Sequence, residues 1–275
     1  MRRPRWQLTR LLFAFTLALA ALEAQPSSID PAGPEIRTLP KRFVADEWRM
    51  WTSPFRAGQR AHTLKKYVIP FVAVSASLIA TDQRTADLWP NTPDQQKWSG
   101  RVSQLGASYT LAGISGGSYL LGRVSGNSRL REAGILGLEA LGHSQVAVFA
   151  MKQITNRERP INNEGERSFW RGGNSFPSGH AASAFALATV FAYEYRDNIA
   201  VPITAYSLAG LVSVSRLGAR RHWVSDIAVG GAIGFLVGRF TYQRNHDPSL
   251  PGSRVQRLVP QVGIAGTEVV LSWRL

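Results

Sequence analysis

Three short clusters in the sequence combine cations, imidazoles and a carboxylate. Lys152 is followed after six residues by Arg159-Pro160. The run Pro177-Ser178-Gly179-His180 leads directly into an apolar stretch. Ser215-Arg216 is followed after five residues by His222, and after three more by Asp226. Arginine offers planar, paired donors and lysine a point charge, a set suited to several anionic oxygens on one group. A serine and a glycine at a helix start present backbone N–H groups to an anion. Histidines supply proton transfer or a nucleophile near neutral pH, and a carboxylate four residues from a histidine shares its helix face. Each cluster alone has a plainer explanation. Basic residues complement helix C-termini, serine caps a helix, and a His–Asp pair can be purely structural.

The elements that would position these residues come next. Apolar stretches run over about 67–81, 103–122, 132–151, 180–195, 199–215 and 223–242, and their Ala, Leu and Gly content predicts helices. Connections after the third and fifth helices of an up-and-down bundle lie on one side, so all three clusters can converge at one end. The expected fold is therefore an all-α, up-and-down bundle of about six helices over 65–245, with the active site at one end. Alternation in "TEVVLSW" and a turn at "GIAG" predict a short β-hairpin in the tail, 246–275.

The first 24 residues read as a secretory signal peptide, with a basic start, an apolar run twelve residues long and a small residue at Ala24. Residues 25–64 read as a polar, Pro-rich linker followed by a Trp-rich packing segment. The formal charge of +14 favours anionic partners, lipid headgroups or phosphate esters among them, and the chain shows no nucleic-acid recognition element. Cysteine is absent, which excludes disulfides and thiolate metal sites. A mean hydropathy of −0.10 is low for six membrane spans, so an integral bundle and a membrane-associated one both remain open. Either sits in the cell envelope, exported, at the inner membrane with the site facing the periplasm.

The three motifs together, in this order and unsubstituted, resemble the type 2 phosphatidic acid phosphatase and vanadium haloperoxidase superfamily, and the resemblance covers about 65–242. It implies a phosphatase for phosphate monoesters, with lipid phosphates or polyprenyl pyrophosphate favoured and no metal or other cofactor. In the roles it implies, His222 attacks phosphorus, Asp226 holds the other ring nitrogen, and His180 protonates the leaving oxygen. Lys152, Arg159, Ser178, Gly179 and Arg216 hold the phosphate. The alternatives are a soluble periplasmic acid phosphatase of broad specificity, a haloperoxidase that binds vanadate at His222, and an inactive envelope scaffold. Outside the motifs, His62 and His246 are expected in solvent. His143, near Glu139, is either a core polar residue or part of the approach to the site. Trp170 and Trp223 could wall the pocket or mark a lipid interface.

Overall fold

The computed structural model describes residues 36–52, 69–162 and 168–250, and the backbone of 261–265 and 268–272. The expected signal peptide, most of the expected linker and His62 lie outside the described residues. Contacts divide the chain between Phe71 and Val72. The N-terminal unit contains α1 (Leu39–Thr52), whose Trp48 and Trp51 are exposed. α2 (Ile69–Asp87) begins at the division and lies almost wholly in the second unit.

The second unit continues with α3 (Pro93–Ser103), α4 (Ser108–Ser125), α5 (Ser128–Thr155), α6 (Gly179–Glu194), α7 (Ala200–Gly218) and α8 (Val224–Asn245). The six expected helices are present with shifted ends, and α1 and α3 are additional. α3 starts on a Thr92 cap that accepts from the Gln95 N–H, with proline in its first turn. Its polar sequence carries no apolar period, so a pattern of apolar stretches passes over it. The strands β1 (Gln261–Ala265) and β2 (Glu268–Ser272) pair antiparallel, with Ala265 opposite Glu268; Gly263, Ile264 and Ala265 of the "GIAG" run, expected as the turn, lie in β1 instead.

Small residues set the geometry at the centre of the bundle. Gly230, Gly234 and Gly238 form one stripe of α8, spaced four apart. A Cβ on them would come within 2.5, 2.1 and 2.5 Å of the carbonyl oxygens of Ser178, Ala182 and Ala186 on α6. The paired numbers rise together, so α6 and α8 run parallel with their N-termini at one end. α5 and α7, which precede and separate them, run the opposite way and bring their C-termini to that end. Leu111, Leu141, Ala184, Leu187, Ala188, Ala209 and Val212 form the buried core between α4, α5, α6 and α7.

Among the described residues, three helical segments are long and apolar enough to cross a membrane: 128–162, 200–218 and 224–245. α7 exposes Ile203, Leu208, Leu211 and Val214, an apolar face that water would leave uncovered.

His246 does not lie free in solvent. It sits at the end of α8, opposite the motif end of the bundle, stacked on Tyr242 at 4.4 Å. Its Nδ1 lies 2.9 Å from Glu132 and 3.6 Å from Glu194, both buried. The sequence alone puts His246 in solvent because it does not show that α5 and α6 place two carboxylates beside it.

Candidate active site

The parallel pair α6 and α8 is joined at its N-termini by a hydrogen bond from the Ser178 N–H to the Asp226 carbonyl, 2.9 Å. Ser178 caps α6, its Oγ accepting from the Ala181 N–H at 3.4 Å. The cap is fully buried, while Gly179 and His180 beside it are half-buried. A Cβ on Gly179 would meet Gln145 and Val148 only at ordinary contact distances of 3.5 Å and beyond, so packing within the chain does not demand glycine there.

At the start of α8, His222 and Asp226 stand one turn apart and both are buried. Their contact, Nδ1 to Oδ2, is 3.4 Å, a long hydrogen bond of the kind that tightens around substrate. This leaves Nε2 as the nitrogen turned from the carboxylate. The same Oδ2 accepts from the Trp223 N–H at 2.9 Å and from the Ser175 hydroxyl at 2.5 Å. Asp226 is therefore fixed by its neighbours and not by the histidine alone.

Lys152 is in the last turn of α5, which ends on a left-handed Asn156 whose N–H bonds the Lys152 carbonyl. Arg159 lies in the loop beyond, and Arg216 is in the last turn of α7, anchored by one donated bond to Ser103 Oγ at 2.9 Å. The Nε donors of Arg159 and Arg216 are buried and have no hydrogen-bond partner among the described residues. A buried donor left unmade costs about 1–3 kcal/mol, so two of them beside each other in charge and place suit an anion.

These charges converge on His180. Burial first, then Arg216, His222, Lys152 and Arg159, push its imidazole down to about 4. Burial likewise pushes His222 down to about 4, against the pull of Asp226 and with further repulsion from Arg216 and Lys152. All eight residues singled out in the sequence thus lie at one end of the bundle. Of the others, Trp223 is buried with its indole N–H on the Glu158 carbonyl at 2.9 Å, whereas Trp170 is exposed. Glu139 and His143 are fully buried on α5.

Some residues that hold the site carry no signal in the sequence, Arg157 first among them. Arg157, inside the six-residue gap of the first motif, is 2 % exposed and donates to Asp226 Oδ1 at 2.7 Å. Gly173 makes room for its backbone, since a Cβ there would lie 2.2 Å from the Arg157 carbonyl oxygen. A basic residue just past a helix end resembles many that only complement the dipole, so its type alone gave no signal.

Residues 134–248, which carry all three motifs and run from α5 through α8, match the family model of the PAP2 superfamily. Over this segment the chain is similar to that superfamily. It is also 28 % identical over 234 residues to the lipid A 1-phosphatase of Porphyromonas gingivalis, covering 83 % of this chain and 50 % of that protein. The chain therefore spans half the length of this curated relative. Among solved structures, Aquifex aeolicus LpxE is similar over 56 % of this chain and 88 % of its own, with 21 % identity and a TM-score of 0.44. A transmembrane PAP2 type phosphatidylglycerolphosphate phosphatase from Bacillus subtilis is similar over 75 % and 95 %, with 20 % identity and a TM-score of 0.46.

Proposed function

We propose that this chain is a membrane-embedded phosphatase that hydrolyses lipid phosphate monoesters through a phosphohistidine. The observation that carries the reading is the convergence of the His222–Asp226 pair, His180 and three cations at one end of the bundle. The unpartnered donors of Arg159 and Arg216 add to it.

In the scheme, the phosphate sits among Lys152, Arg159 and Arg216 and against the N–H groups at the start of α6, with Ser178 and Gly179 at its edge. His222 Nε2 attacks phosphorus, and the bond to the ester oxygen breaks. His180 gives that oxygen a proton as the alcohol leaves. Asp226 holds the Nδ1 proton, which keeps the tautomer and balances the imidazolium formed on attack. A water then attacks the phosphohistidine, His180 takes its proton, and inorganic phosphate leaves with His222 restored. Fixed cations stabilise the charge on the transferring group, so the scheme calls on no metal or other cofactor.

A lipid substrate is favoured by the surroundings of the site. An apolar cavity of about 490 Å³ lies between α4, α6 and α7. Its lining includes Ala184 and Val212. These stand one turn into the bundle from His180 and Arg216, so a chain attached to the bound phosphate has apolar space below it. The relative named as a lipid A 1-phosphatase puts that phosphate among the first substrates to try. Phosphatidic acid, phosphatidylglycerol phosphate and polyprenyl pyrophosphate stand beside it. A phosphate-release panel over these lipids in detergent, with p-nitrophenyl phosphate as soluble control, tests the proposal. Release from at least one lipid at a higher kcat/KM than from the soluble ester is expected. Release from the soluble ester alone would favour a broad-specificity acid phosphatase, and no release at all would overturn the reading.

A further inference from the structure

We infer that Asp82 and Arg157 are positioning residues for His222, acting through Asp226 as a buried Asp82–Arg157–Asp226–His222 chain; this rests on the phosphatase reading above. Asp82 is on α2, outside the segment that matches the PAP2 superfamily.

The geometry is continuous. Arg157 donates from Nη1 to Asp226 Oδ1 at 2.7 Å and to Ser225 Oγ at 2.7 Å. Its Nη2 donates to Asp82 Oδ2 at 2.7 Å and its Nε to Ser168 Oγ at 2.9 Å. All three guanidinium nitrogens are thereby bonded, and the guanidinium carbon stands over the rings of Phe169 and Trp223, 4.5 and 5.2 Å from their centroids. Asp82 accepts in turn from the Ser225 N–H at 3.0 Å and from the Ser225 hydroxyl. It thus ties α2 to the first turn of α8, where His222 and Asp226 stand.

Two features separate this chain from an ordinary structural ion pair. Asp82 is the one buried residue of α2, a helix whose apolar side chains are mostly exposed. Burying a carboxylate where an apolar residue would pack more cheaply makes a poor anchor and a good orienting group. The second is the division of labour at Asp226. Arg157 occupies Oδ1, so the carboxylate cannot turn, and Oδ2 is left facing Nδ1 of the imidazole. Arg157 also places a positive charge behind the carboxylate, which limits how strongly Asp226 draws a proton onto His222. The other charged or titratable groups around His222 are Lys152, Arg216, His180 and, across a small cavity, Arg220.

The test uses the purified full chain and p-nitrophenyl phosphate. Arg157→Gln is expected to lower kcat about 10- to 100-fold with KM changed little, the usual effect of removing a partner of a reacting group. It is also expected to move the acid limb of kcat/KM to higher pH by about one unit, since one positive charge near His222 is gone. In an Asp226→Asn background the same change should lower kcat no further, because its route of action is already cut. Arg157→Lys should restore the limb, which reads charge, and not kcat, which reads the fork. Should Arg157→Gln fail to fold, Ser225→Ala removes one hydroxyl of the chain and is expected to lower kcat severalfold, again with no further loss beside Asp226→Asn. Unchanged acid limbs with kcat losses that add to that of Asp226→Asn would overturn the inference alone. An inactive wild-type chain would overturn the phosphatase reading, and the inference with it.

Discussion

At the residue scale, the proposed mechanism gives the two histidines different tasks although burial holds both near the same proton affinity. His222 is useful neutral, and its fall to about 4 keeps it so in any ordinary buffer. His180 is useful protonated, and the same fall, driven by burial and the surrounding cations, works against it. A bound phosphate dianion reverses the cationic part of that push. The protonated fraction of free His180 drops as pH rises above about 4, so kcat/KM should decline from mildly acidic toward neutral pH. The limb of kcat, which reports the complex, should lie at higher pH. Coincident limbs in kcat and kcat/KM would contradict this. His180→Ala should cost about 10²–10⁴-fold in kcat, the range of a lost proton-transfer group. How much of the site the sequence revealed follows from the same chemistry. Lys152, Arg159, His180, Arg216, His222 and Asp226 stood out because residue type and spacing are both constrained by a phosphate. Arg157 and Asp82 did not, since their partners are 69 and 143 residues away in chains of contact that only the fold closes.

At the element scale, the parallel packing of α6 on α8 carries the design. The Gly230, Gly234 and Gly238 stripe lets backbones touch and thereby sets the Ser178 cap against the first turn of α8. The bundle and its convergent end were legible, because long apolar stretches and their breaks mark helices. α3 was not, as its sequence is polar, yet its Ser103 holds Arg216. The opposite ends of α5, α6 and α8 bring Glu132, Glu194 and His246 together. There burial and then Glu132 push the Glu194 carboxyl up to about 7, and the two carboxylates hold His246 protonated to higher pH than a free imidazole, burial notwithstanding. For a carboxyl raised in the folded state, stability is lost as pH rises from about 4.5 to about 7, and the His246 contribution is lost in the same direction, above about 6.5. The melting temperature should fall over this range, and Glu194→Gln should flatten the fall between pH 5 and 7, by about the carboxyl's share. An unaltered slope would contradict the assignment.

At the scale of the whole molecule, a charged site stands at the end of a bundle that has, among the described residues, three segments able to cross a membrane and an apolar cavity beneath the charge. The sequence left open whether the helices stand in lipid or water, because hydropathy averages over buried and outward faces. The exposed apolar face of α7 is what separates the two. The cavity gives a handle on substrate class. Leu187→Trp, which fills it from α6, should raise KM for a long-chain lipid phosphate about tenfold or more while leaving p-nitrophenyl phosphate nearly unaffected, given about 0.8 kcal/mol for each methylene displaced. Equal effects on both substrates would place the lipid chain elsewhere. The central claim is that phosphate passes through His222, and the most direct measurement is to trap the phosphoryl group on the protein. Wild type quenched during turnover of a radiolabelled monoester should carry acid-labile, alkali-stable label on the peptide containing His222, and His222→Ala should carry none and lose nearly all turnover. Label on another residue, or wild-type turnover by His222→Ala, would contradict it.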